Sequence, residues 1–329
     1  MKTLLNLKNM DSIYRIPNKA NWPNEFINDI FTSDALEFLK KISSECIALI
    51  VTSPPYWNVK DYDHPKQIGQ TNYEQYLADL LIIWQEAERI LIPNGKLAIV
   101  TPIMPIPKEI YNEYHTRHLK NINNDIEQTI LSNTNMQRYS LFIWQKQTTE
   151  KMFGSYPYPP NIYEDNTIEF INVLVKPGKP SNIPKDAKEP SKLTQIEWLN
   201  LTKQIWPIYP ADIKRVIGHP APFPVVLPQR LIMMYTFKSA PEFGFEGDIV
   251  LDMFNGTGAT CVAAKALERC YIGIDLNPDY CYIAMNRLKS INQDFGDTVD
   301  PNAIILESLR VRRPQNSKEM KLPNMKIKY

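Results

Sequence analysis

The apolar run Ile47-Ala-Leu-Ile-Val51 is closed three residues later by Pro54-Pro55, and this pairing restricts the fold more than any other stretch. A short run of branched residues is the pattern of a strand buried on both faces of a parallel sheet. Neither proline can donate a backbone hydrogen bond, so the ladder must stop there, with Ser53 projecting past the sheet edge. Tyr56 and Trp57 then set two aromatic faces beside a small hydroxyl. Ligands of open α/β sheets bind outside the carboxyl ends of the strands. A hydroxyl, fixed carbonyls and a stacking ring at that place suit a flat, hydrogen-bonding substrate such as a nucleobase. The competing reading is a Pro-Pro turn that merely ends a strand.

A second motif follows about two hundred residues later. The segment from Gly247 to Arg269 reads as a strand, a glycine-rich turn and a helix; Cys270 to Asp275 is the next strand, ending in an acid. Asn277-Pro278 opens a further helix through Arg287. This is a nucleotide-binding β-α-β unit, in which Gly256 and Gly258 permit close backbone approach and Asp275 is placed to take ribose hydroxyls. The third glycine of a dinucleotide fingerprint is missing, with Cys261 in its place, which counts against a pyrophosphate ligand. Asp252 at the strand end suits an ammonium group, and the Phe254 face can attract a sulfonium. The alternative role for Asp252 is to cap the turn.

Between the motifs the chain reads as alternating strands and helices. A strand spans 26–31, and Ser33 or Asp34 caps a helix from Ala35 to Ile42. A second helix runs from Tyr73 to Leu91 and is closed by Asn94-Gly95, with a strand from Lys96 to Val100. Residues 101–127 read as irregular, and strands return at 140–145 and 167–175. Residues 58–72 form a long polar loop beside the first motif, a common place for function, although His64 within it is given no catalytic role. Residues 176–215 turn Lys- and Pro-rich, then aromatic, and read as an insertion outside the sheet. Residues 309–329 are basic. The chain of 329 residues has a net charge of +1, which argues against a uniformly basic coat for nucleic acid but allows a local basic cleft. Its four cysteines lack ligand spacing, so no metal is expected, and reduced thiols point to the cytoplasm. No stretch approaches membrane-spanning length, so no membrane partner is expected.

Together the two motifs resemble those of amino-methylating DNA methyltransferases that use S-adenosyl-L-methionine. Ser53-Pro54-Pro55-Tyr56 is similar to the catalytic tetrad of the cytosine-N4 branch; the adenine-N6 branch usually carries Asp or Asn at the first position. Asp252-Met-Phe-Asn-Gly-Thr-Gly-Ala-Thr260 resembles the cofactor loop Asp-Pro-Phe-x-Gly-Ser-Gly-Thr-Thr, with Met253, Thr257 and Ala259 as departures. The resemblance implies that Asp34 meets the adenine, that Asp275 holds the ribose, and that His219, Pro220 and Phe223 line the methionine end. It further implies Thr52, Asp252, Phe254, Asn255, Gly256, Thr257 and Gly258 as cofactor-binding residues. A tetrad that precedes the cofactor loop marks the permuted "beta" order.

The expected fold is therefore α/β and Rossmann-like, a mostly parallel twisted sheet with helices on both faces in circularly permuted motif order. Residues 23–176 would form the catalytic half, 177–215 a target-recognition insertion, 216–295 the cofactor half and 296–329 a basic tail. The implied partners are double-stranded DNA, a cognate restriction endonuclease in the functional sense, and a second copy in a homodimer. The rival readings are adenine-N6 methylation, a nicotinamide-dependent oxidoreductase on the same β-α-β unit, and a catalytically dead DNA-binding module. All of this requires Ser53 and Gly256 to line neighbouring strand ends, with the Tyr56 ring outside the interior.

Overall fold

A computed structural model describes residues 23–57, 64–106, 118–146, 156–208 and 223–291. The apolar runs form a single eight-stranded sheet in the order β1-β10-β9-β2-β3-β7-β6-β8. These strands are β1 (Asp29–Thr32), β2 (Ile47–Thr52), β3 (Leu91–Thr101), β6 (Gln137–Gln145), β7 (Ile168–Val175), β8 (Ile205–Pro207), β9 (Ile249–Asp252) and β10 (Cys270–Asp275). Among them only β7 runs against the rest, pairing antiparallel with both β3 and β6. The short strands β4 (Met104–Ile106) and β5 (His118–Lys120) form a separate antiparallel pair.

Alternation along the central strands builds two cores. Ile50 of β2 and Leu251 of β9 face a layer made by α1 (Ala35–Leu39), α2 (Tyr73–Ile90) and α3 (Ile122–Asn133). Leu49, Val51 and Val250 face α6 (Val226–Tyr235), α7 (Ala259–Ala266) and α8 (Pro278–Ser290) on the other side. Every residue of β2 is buried, as its apolar run requires.

The order of the strands positions the site. After β2 the chain moves outward to β3, whereas after β9 it moves the opposite way to β10. β2 and β9 are parallel neighbours, with Leu49 opposite Val250 and Ile50 opposite Leu251. Connections that diverge from two adjacent parallel strands leave a crevice at their carboxyl ends. Both sequence motifs end there.

Three expectations are corrected. Asn94-Gly95 does not close α2: the helix stops at Ile90, and both residues lie inside β3. The register jumps there, from Ile47 opposite Leu91 to Leu49 opposite Lys96, and the surplus residues bulge around Asn94, whose φ is 67°. Residues 122–127 are not irregular but open α3 (Ile122–Asn133), which buries Ile122, Ile126 and Ile130 at helical spacing and is capped by the Asn121 side chain. The segment 176–215 does not lie wholly outside the sheet. Ile205–Pro207 pairs parallel with β6, because Trp206 buries its indole in a stack on Phe142, with centroids 4.5 Å apart. The rest of the described part carries the short helices α4 (Lys185–Lys188) and α5 (Gln195–Leu201). No described helix is long and apolar enough to cross a membrane.

Candidate active site

The crevice at the ends of β2 and β9 opens into a cleft of about 930 Å³, solvent at its mouth included. That is the size of a pocket for a nucleoside-sized ligand. Ser53 and Pro55 line it from the first motif, and Phe254, Asn255, Gly256, Thr257 and Asp275 from the second. The two turns therefore share one wall, as the sequence requires. Asp34 joins them from the start of α1, where its carboxylate also accepts the backbone N–H of Glu37 at 3.0 Å. Phe223 lines the far side. His219 and Pro220 lie outside the described residues.

The glycine turn is shaped by its hydrogen bonds. Gly256 N donates to Asp275 Oδ2 at 2.6 Å, and Asn277 N donates to Asp275 Oδ1 at 2.9 Å. One acid at the end of β10 thus clamps the turn after β9 and the start of α8 while still facing the cleft. Burial pushes the Asp275 carboxyl up, and these backbone bonds pull it back. Gly258 does not line the cleft. Its φ is 84°, and a Cβ there would meet Ala284 Cβ at 2.7 Å, so this glycine lets α7 pack closely on α8.

Asp252 and Thr52, expected to touch a ligand, are turned inward. Asp252 is fully buried and accepts Thr52 Oγ1 at 2.7 Å, Thr260 Oγ1 at 2.7 Å and Phe254 N at 3.1 Å. Neither residue lines the cleft. Burial raises the Asp252 carboxyl to about 6, against the pull of those bonds. This acid is a clasp between strand ends, the capping role set against ligand contact in the sequence.

Tyr56 is also corrected. Its ring was required to stay outside the interior and to offer an open stacking face, yet it is 5% exposed and absent from the cleft wall, so that requirement fails and the site rests on the wall that Ser53 and Gly256 share. The Tyr56 hydroxyl is the reason, because it lies 2.9 Å from Ser53 Oγ and donates to the buried Glu169 Oε2 at 3.3 Å. Pro54 is buried beneath the turn. The Pro55 carbonyl accepts Tyr76 Oη at 2.8 Å, so α2 pins the turn from below. Ser53 Oγ is the one tetrad side chain that presents a polar atom to the cleft, and it also lies 3.0 Å from the Val100 carbonyl.

Sequence reasoning missed His64, Lys66, Gln67, Ile68, Leu276 and Tyr280, which line the wall beside Ser33, Ala35, Met253, Ala259 and Asn277. The signal for the first four was the polar stretch after the Pro-Pro turn, whose far end is tied to Trp57 by its Nε1–H donating to the Thr71 carbonyl at 2.9 Å. The cleft combines two carboxylates, the aromatic Phe223 and Phe254, and the cationic Lys66. Asn255 adds a buried Nδ2 with no hydrogen-bond partner among the described residues, its Oδ1 being held by the Cys261 thiol at 3.1 Å. That donor packs beneath the turn, where a Cβ on Gly273 would meet it at 3.0 Å. Such a lining fits a ligand with a flat base, a hydroxylated sugar and a charged end.

Known proteins are similar to this chain in sequence and in fold. The chain is 28% identical over 320 residues to the Type II methyltransferase M.BglI of Bacillus subtilis, covering 80% of this chain and 86% of that one. It is 27% identical over 283 residues to M.Cfr9I of Citrobacter freundii, covering 79% and 87%. TTHA0409 of Thermus thermophilus, assigned as a DNA modification methylase and solved in complex with S-adenosyl-L-methionine, superimposes with a TM-score of 0.65 at 28% identity, covering 81% and 95% of the two chains. The PvuII cytosine-N4-specific DNA methyltransferase shares the fold, with a TM-score of 0.59 at 18% identity over 85% and 92%. A family model for N6/N4 DNA methylases matches residues 47–286, well over half of the sequence, and the chain belongs to that family.

Proposed function

We propose that this DNA methylase transfers the methyl group of S-adenosyl-L-methionine to the exocyclic N4 of cytosine in a base flipped out of the duplex. The observation that carries the reading is that Ser53 Oγ and the Gly256–Asp275 turn line one cleft. The residues fit the cofactor. Asp275 would take the ribose hydroxyls and Asp34 the adenine amine. Phe254 would face the sulfonium. When bound, the cofactor supplies an electrophilic methyl group.

The residues of this chain act on the amine. The lone pair of an exocyclic amine is delocalised into the ring, so it is a poor nucleophile. Acceptance of its N–H bonds by Ser53 Oγ and the Pro54 carbonyl would favour a pyramidal nitrogen and stabilise the positive charge that grows during attack. The two prolines and the Tyr76 bond to Pro55 hold these acceptors still, which is an orientation effect. An amine inside a duplex is out of reach, so the base must leave the stack. Serine at the first tetrad position supports cytosine over adenine. The Type II character of the relatives supports a restriction-modification setting.

The test is to incubate the protein with unmethylated DNA and the cofactor, digest to nucleosides and separate the products by mass. N4-methylcytosine is expected. N6-methyladenine would move the protein to the other branch, and no methylated base would refute the reading.

A further inference from the structure

The Tyr56 hydroxyl connects the cleft to an ion pair supplied by two other strands. Ser53 Oγ and Tyr56 Oη are 2.9 Å apart, and Tyr56 Oη donates to Glu169 Oε2 at 3.3 Å. The second oxygen of the carboxylate, Oε1, accepts Lys146 Nζ at 2.5 Å. Glu169 is 7% exposed and Tyr56 5%, so the line from Ser53 inward is shielded from solvent. The topology explains how the groups meet. Because β7 runs against its neighbours, its first residues lie at the rim where β2 ends, and Glu169 is the second residue of that strand. Lys146 directly follows β6, which ends at the same rim.

Counting protons defines what this line can do. Among the described residues, two hydroxyls bring two protons to three hydrogen-bond contacts along this line, the third being Ser53 Oγ to the Val100 carbonyl at 3.0 Å. When Tyr56 donates to Glu169, the Ser53 proton must choose between the Val100 carbonyl and the Tyr56 oxygen. In either arrangement Ser53 keeps a lone pair for an N–H in the cleft.

We propose that Glu169 is the terminal proton acceptor of methyl transfer, reached through Ser53 and Tyr56; this rests on the amino-methylation reading above. Attack by the amine forms the N–C bond and breaks the S–C bond of the donor, leaving the nitrogen with one proton too many. The nitrogen gives that proton to Ser53 Oγ, Ser53 gives its own to Tyr56 Oη, and Tyr56 gives its own to Glu169 Oε2. The amine ends one proton poorer, the carboxylate becomes a carboxylic acid, and both hydroxyls are restored. Before transfer the carboxylate polarises both hydroxyls and strengthens Ser53 as an acceptor for the developing charge. After transfer Lys146 faces a neutral acid, and the uncompensated charge favours release of the proton. Glu169 acts through Tyr56 and does not touch substrate, so it is a positioning residue that also stores a proton.

The experiment compares Glu169→Gln, Glu169→Ala and Tyr56→Phe in single-turnover transfer of labelled methyl to unmethylated DNA. Cofactor affinity, KM for DNA and thermal midpoint are measured alongside. Gln keeps the shape of Glu and an acceptor for Tyr56 but not a second one for Lys146, so a purely structural role predicts Gln milder than Ala, its loss of transfer matched by a lower thermal midpoint. The relay predicts Gln as slow as Ala, roughly 10²-fold below wild type, with cofactor affinity and KM unchanged. It also predicts that Glu169→Gln combined with Tyr56→Phe is no slower than either alone. Wild-type transfer by Glu169→Gln overturns the relay while the function stands. Where Glu169→Gln does not fold, Tyr56→Phe decides, because it keeps the ring and removes the bridge; wild-type transfer by that variant overturns the relay. A wild-type protein that methylates neither base overturns the function and the relay together.

Discussion

Thr52 Oγ1 donates to Asp252 Oδ1 at 2.7 Å, a bond between fully buried side chains that are 200 residues apart in sequence. It fastens the last residue of the strand that carries the tetrad to the last residue of the strand that carries the glycine turn. The separation between Ser53 and Gly256 is therefore set by this clasp. Thr52→Val keeps the shape and removes one of two donors, leaving Asp252 Oδ1 with the longer bond from Phe254 N alone. A loss of about 1–3 kcal/mol in unfolding free energy is expected from urea denaturation.

The same acid gives the protein a pH signature. The folded Asp252 carboxyl is raised to about 6, above its unfolded value of roughly 4. Between these values the folded state holds more protons than the unfolded one, so this group's contribution to stability is greatest below about pH 4 and falls as pH rises through about 6. Two units correspond to about 3 kcal/mol as an upper figure. Urea midpoints measured between about pH 4.5 and 7 should show this decline in the wild type and a flatter profile in Asp252→Asn. Equal slopes in the two proteins would refute it.

Gly258 answers to sterics rather than to a ligand. Gly258→Ala forces an L-residue into a backbone with φ of 84° and drives its Cβ against Ala284. A loss of about 1–3 kcal/mol is expected. Adding Ala284→Gly removes the contact but leaves the backbone strain, so partial recovery of the thermal midpoint should follow. Full recovery would show that φ is not the constraint.

Tyr76 tests whether the Pro-Pro turn must be held from below. Tyr76→Phe frees the Pro55 carbonyl that Tyr76 Oη holds at 2.8 Å. The stability cost should be about 1 kcal/mol. Turnover should fall roughly 10-fold or more, because small misplacement of reacting groups is expensive, with cofactor affinity unchanged by calorimetry. Unchanged turnover would mean that the prolines alone fix the turn.

Asp275 tests the clamp. Asp275→Asn can keep only one of the two backbone donors, Gly256 N or Asn277 N, satisfied by its single acceptor oxygen. Affinity for S-adenosyl-L-methionine should fall at least about 10-fold, in line with the loss of charge-assisted bonds, while unfolding stays cooperative. Wild-type affinity would place the ribose contact elsewhere.

Strand identity was legible because it is written in local composition. Ile47 to Val51 and Cys270 to Asp275 are apolar runs closed by turn residues, and that pattern needs no tertiary information. The glycine turn was legible for the same reason, since only glycine adopts φ of 48° and 84° cheaply at Gly256 and Gly258. The helix at 122–133 was passed over because its isoleucines, four apart, sit among Asn, Gln and Thr that favour loops. Packing on α2 overrode those preferences.

Side-chain direction was settled only by the tertiary structure. From sequence, Asp252 and Asp275 are both acids at strand ends, yet one is locked inward by two threonines and the other faces the cleft. Tyr56 likewise reads as an exposed ring until Glu169, more than a hundred residues later, draws its hydroxyl inside. Sequence specifies which residues end a strand. Which way they point depends on partners from distant segments, because a buried polar group turns to wherever its hydrogen bonds are satisfied.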